Sequence, residues 1–143
     1  MINIRESKYY LLAERDYKCL SKAFEVKFYD NIFLQVATQC VEKYLKTILY
    51  YKKPKAGRIM DSHDLTELKR AVSRVGFTTP DLESMLGISE IYNRARYNMN
   101  EKYWNFDYDE ASKIYSDVTL IKSMVEEKID ELEEEERKQW INE

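Results

Sequence analysis

NIFLQVATQCVEKYLKTILYY, residues 31–51, decides the architecture. Phe33, Val36, Cys40, Tyr44 and Ile48 recur at three- and four-residue steps, and Ile32, Val41, Leu45 and Leu49 widen the stripe they make. That period is the period of an α-helix, and the stripe is broader than a helix lying on a surface needs. The segment therefore reads as the central helix of a helical protein. Asp30 or Asn31 is placed to cap it by accepting a hydrogen bond from a free first-turn amide. Lys43 and Lys46, with Glu42 beside them, read as its solvated edge.

The same period extends outward on both sides. From Arg5 to about Phe28, Tyr9, Leu12, Ala13, Leu20, Phe24 and Phe28 predict one long amphipathic helix. Residues 52–62, KKPKAGRIMDS, read as a loop, because Pro54 and Gly57 interrupt the pattern. A third helix follows, capped by Asp61 or Ser62, with Asp64 in its first turn. Leu65, Leu68, Val72 and Val75 form its inner face, and Gly76 stops it. Thr79-Pro80 predicts the start of a fourth helix reaching Ala95, since proline is well suited to a first helical position. From about Asp107 a fifth helix buries Ala111, Ile114, Tyr115, Val118, Ile121, Val125, Ile129 and Leu132.

Composition agrees with this pattern. Three glycines and two prolines in 143 residues are too few for the many turns of an all-β protein. The length suits one domain, residues 1–143, ending in an acidic helical extension at about 126–143. The fold expected is all-α, an antiparallel bundle of about five helices. Most of the twelve tyrosines are read as amphipathic residues at the rim of a core, and their surplus also suits an interface.

Charge and cysteine content narrow the function classes. The net charge of -3 comes from the tail, where EEKIDELEEEE spans 126–136. That run reads as a solvated face and opposes nucleic acid locally. Cys19 and Cys40 lack any CxxC spacing and read as buried free thiols, and together with one histidine they cannot make a structural zinc site. No metal or cofactor is expected. No apolar run approaches the ~18 residues of a membrane span, and the charged first residues are unlike a signal peptide. A cytoplasmic protein is expected.

Two groups of residues could carry chemistry. Arg58 and the only histidine, His63, stand in R-x4-H spacing, in which a guanidinium would stabilise phosphate charge while an imidazole moves a proton. His63 opens a helix, so local packing or hydrogen bonding is the favoured expectation and catalysis the weaker one. YNRARYNMNEKYW, residues 92–104, holds the second group. Arg94 and Arg96 are about 200° apart on an ideal helix, so only one is expected to face a cleft. Arg96 is the candidate anion ligand, with Tyr97, Asn98 and Asn100 adding neutral hydrogen bonds to a phosphate or ribose. Glu101 is a weak candidate for catalysis beside Arg96.

VEKYLK at 41–46, His63-Asp64-Leu65, and Tyr92-Asn-Arg-Ala-Arg96-Tyr97-Asn98 together resemble the HEPN domain family, in order and spacing, over about residues 10–125. The resemblance implies an antiparallel bundle of four or five helices, commonly dimerising so that both fourth helices face one cleft. In the active members it implies an R-x4–6-H site that cuts RNA without metal. In others it implies a partner of nucleotidyltransferase-type proteins in toxin–antitoxin pairs, or a nucleotide-binding module. Here the positions at which that histidine would follow Arg96 are Glu101, Lys102 and Tyr103, and those following Arg94 are Met99, Asn100 and Glu101. The family's proline after Arg-Tyr is replaced by Asn98. The expectation is a binding or interaction module, with a metal-independent ribonuclease or a nucleotide-binding module as alternatives.

Overall fold

A computed structural model describes residues 3–55, 57–81 and 106–142. Every described element is helical. A 3-10 turn, Ile4–Glu6, leads to Ser7, whose hydroxyl accepts from the Tyr10 amide and starts helix α1, Lys8–Glu25. The helix is thus shorter than its periodicity predicts. It starts after Arg5 because Ser7 caps it, and it stops before Phe28 because Lys27 turns left-handed, at φ 61°. Phe28 consequently leaves the predicted stripe and is 53% exposed.

Helix α2, Asn31–Lys52, is capped by Asp30, whose carboxylate accepts from the Ile32 and Phe33 amides. It packs against α1 and both of the later helices. Buried side chains run down it from Phe33 and Leu34 to Ile48 and Leu49, as a central helix requires. Ile32, in the first turn, is exposed, contrary to its place in the predicted stripe. Cys40 is buried, as expected, while Cys19 is exposed, because it lies beside the stripe made by Ala13 and Leu20 rather than on it.

A second 3-10 turn, Gly57–Asp61, precedes helix α3, Leu65–Arg74. Its cap is Asp64, which accepts from the Thr66 and Glu67 amides. Asp61 and Ser62 do not cap it, and Ser62 instead accepts from the Asp64 amide. Leu68 and Val72 are buried and Gly76, at φ 93°, ends the helix. The helix predicted between Pro80 and Ala95 lies almost wholly outside the described residues.

Helix α4, Tyr108–Asn142, buries Ala111, Ile114, Val118, Ile121, Val125, Ile129 and Leu132, with Tyr115 half-buried beside them. Its contacts fix the directions of three helices. Early α1 meets late α2 through Tyr9–Tyr50, Arg5 of the turn just before α1 pairs with Asp130 and Glu133 of late α4, and Phe24 near the end of α1 lies 5.8 Å from Tyr108 at the start of α4. Helix α1 is therefore antiparallel to both. The ends of α2 and α4 come together at Tyr51, whose hydroxyl is pushed up to about 12 by burial and by its hydrogen bond to Glu136. Beyond Leu132 no described residue of α4 is buried, and Trp140 and Ile141 are 65% and 74% exposed.

Candidate functional site

Arg96, Tyr97, Asn98, Asn100 and Glu101, with Arg94, lie outside the described residues. Of the sequence candidates, the structure places Arg58 and His63, and it does not assemble them into one site.

His63 stands just ahead of the α3 cap with its side chain 71% exposed. Its Nδ1 is 2.9 Å from Glu42 Oε1, on the middle of α2. An ionised carboxylate only accepts, so Nδ1 carries the proton in this contact and Nε2 is left as the ring's other functional nitrogen. Glu42 divides its oxygens between two partners. Its Oε2 is 3.3 Å from Lys46 Nζ, one turn further along α2.

Periodicity alone predicts a solvated edge for Glu42, Lys43 and Lys46. The structure buries Glu42 and Lys46 and half-buries Lys43. Lys43 donates to Asp16 on α1, itself buried. Two polar pairs thus sit among the buried side chains of α2, one of them reaching across to α1. Helical spacing alone does not show this, because polar residues within so broad a stripe look like its edge. His63 is the third member of the first pair, at sequence distance too great for helical spacing to show.

Arg58 belongs to a different surface. It lines a groove of about 530 Å³ between the end of α2, the second 3-10 turn and α3. Lys53, Arg70 and Arg74 line the same groove, and His63 does not. Glu67 is its single acid among the described lining residues, and Glu67 Oε2 accepts from Ser62 Oγ at 2.8 Å. The guanidinium and imidazole of the R-x4-H spacing therefore face separate tasks.

A second polar network ties three helices together. Glu14 Oε1 on α1 accepts from Tyr44 Oη on α2 at 2.7 Å and from Lys122 Nζ on α4 at 2.9 Å. Lys122 also pairs with Glu126 and lies over the Tyr17 ring at 5.2 Å. Burial and the Glu14 carboxylate push the Tyr44 phenol far up, so it stays a donor. This network holds the bundle together rather than reaching a ligand.

Among the described residues no group of three or more His, Cys, Asp or Glu could hold a metal ion, and no helix is long and apolar enough to cross a membrane. Residues 7–128 match the family model described as HEPN domain. No curated protein and no solved structure matches the chain.

Proposed function

The chain belongs to the HEPN domain family, and from that premise we propose that it works as a binding and interaction module rather than as a nuclease. The observation that carries this reading is the commitment of its one histidine. His63 is bonded to Glu42 of the central helix, away from the groove that holds Arg58, and no histidine stands five to seven residues after Arg94 or Arg96. The proton-transfer group of the family's metal-independent chemistry is then missing from the segment that would use it. The proposed role is that of a homodimeric cytoplasmic component of a toxin–antitoxin or defence module, with a nucleotidyltransferase-type protein as partner. Arg96, Tyr97, Asn98 and Asn100 would supply contacts to a nucleotide or RNA.

A second reading draws support from the His63–Glu42 couple. A carboxylate that fixes one imidazole nitrogen while the ring stays exposed is an arrangement a general base can use. In that reading the protein is a metal-independent ribonuclease, with Arg96 stabilising phosphate charge. RNA cleavage assayed in EDTA separates the two, using the parent, Arg96→Ala and His63→Ala purified identically. Cleavage at the mutant background supports the binding module, and the proteins that copurify become the next object of study. Cleavage by the parent that vanishes in either variant establishes the nuclease instead.

A further inference from the structure

We propose that the groove between α2, the second 3-10 turn and α3 binds an organic polyphosphate, an ester carrying two or more phosphoryl groups on a partly apolar body. Four cations from three separate elements converge on it: Lys53 at the end of α2, Arg58 from the turn, and Arg70 and Arg74 one turn apart on α3. None of the four side chains has an ion-pair or hydrogen-bond partner among the described residues. Set against Glu67 alone, the described lining carries a formal charge of +3, in a chain whose net charge is -3. Arg70 and Arg74 repel each other at that spacing, so the arrangement costs stability unless an anion joins it.

A simpler account covers half of this. Lys53 and Arg74 sit at helix C-termini, where positive charge complements the dipole. Arg58 and Arg70 have no such role. A concave wall also focuses the field of the four charges into the groove, and guanidinium forks match phosphoryl oxygens bidentately. The groove's size, within the ~300–1,000 Å³ of small-molecule sites, favours a single compact ligand over a polymer. Its lining includes Ile59, Ala71 and Val75, partly exposed apolar side chains that a free inorganic phosphate chain would leave uncovered. The ligand therefore has an organic part.

The test is calorimetric titration with ATP, AMP, inorganic tripolyphosphate and a short single-stranded RNA, on the parent and on Arg58→Ala, Arg70→Ala, Glu67→Gln and Arg96→Ala. All of the groove substitutions lie at exposed side chains, and melting curves check each fold. ATP is expected to bind more tightly than tripolyphosphate and at least about tenfold more tightly than AMP, with Arg58→Ala and Arg70→Ala each weakening it by about tenfold. Glu67→Gln is expected to tighten binding, a gain that damaged folding cannot produce. Arg96→Ala removes any nucleotide contact made from residues 92–104, so ATP binding that persists in it and is still weakened by Arg58→Ala and Arg70→Ala belongs to the groove and not to the function proposed above. Tripolyphosphate binding as well as ATP would remove the organic part from the proposal. No binding, binding indifferent to Arg58 and Arg70, loss only with Arg96→Ala, or RNA displacing ATP at lower concentration would each overturn it.

Discussion

Glu42 and Lys46, one turn apart on α2, face each other at 3.3 Å with side chains only 9% and 5% exposed. Two charges taken out of water stabilise a fold only weakly as a pair, but removing one strands the other. Lys46→Met leaves the Glu42 carboxylate buried with only His63 to answer it. The expected loss is about 3–5 kcal/mol in urea unfolding, with most of it recovered in Glu42→Leu/Lys46→Met. A single variant as stable as the parent would mean that water reaches Glu42 in solution.

Glu14 gives the fold a dependence on pH. Burial alone would raise its carboxyl, but the hydrogen bonds from Lys122 and Tyr44 outweigh it and hold the group below its ordinary 4.5. The folded state then binds that proton less readily than the unfolded chain. Its contribution is complete above the unfolded value and is lost as pH falls through the folded one. Glu14→Gln should cost about 1.5–3 kcal/mol near neutral pH. The gap from the parent should close in acid below the folded value. A gap that stays constant with pH would assign the loss to packing.

The two helix ends at Lys27 and Gly76 explain why some boundaries were legible and others were not. After α3, the Phe77 amide bonds Val72 O at 2.9 Å and the Gly76 amide bonds Ser73 O at 3.1 Å. After α1, the Phe28 amide bonds Ala23 O at 2.8 Å and the Lys27 amide bonds Phe24 O at 3.2 Å. These are the same closing motif. One carries the glycine that announces it, and the other carries a lysine that sequence punctuation cannot flag. The apolar faces of α2 and α4 were readable because period and burial coincide over many turns. The Glu42–Lys46–His63 cluster was not, because polar residues inside a broad stripe look like its edge until a distant partner is known. The basic groove was hidden for a related reason: KKPKAGR showed loop charge, but only the fold brings Arg70 and Arg74 to it.

The same comparison yields a prediction. Lys27 holds φ 61° at a steric cost that glycine avoids, while Gly76 holds φ 93° with open space around its Cβ position. Lys27→Gly is expected to stabilise the protein by about 1 kcal/mol and Gly76→Ala to destabilise it by a similar amount, through the backbone alone. Melting temperatures that move in the same direction for both would contradict this.

The two cysteines should separate chemically. Cys40 is fully buried, its Sγ donates to Ala13 O at 3.4 Å, and burial pushes its thiol far up. Cys19 is exposed on α1. A thiol reagent applied to the native protein is expected to label one equivalent, found at Cys19 by peptide mass spectrometry. Cys40 should react only in denaturant, because the thiolate is the nucleophile and its burial disfavours it. Equal labelling of both would show that α1 opens away from α2 on the timescale of the reaction.

Asp117 on α4 has the opposite character to Glu14. Its Oδ2 is buried without a hydrogen bond among the described residues, with Lys113 Nζ 3.9 Å away. Burial raises its carboxyl above the ordinary 3.8, and Lys113 offsets this only in part. The folded state therefore binds the proton more readily than the unfolded chain, and the charged form costs stability as pH rises from 3.8 through the folded value. Asp117→Asn keeps the shape and removes the charge. It should raise the melting temperature slightly near neutral pH, because Lys113 offsets part of the cost of burial. The gain should shrink to nothing below the unfolded value, where Asp117 is protonated in both states. Melting curves of parent and variant across acid and neutral pH measure this directly. A variant less stable than the parent near neutral pH would show that Lys113 closes on Asp117 in solution and makes the carboxylate a net asset.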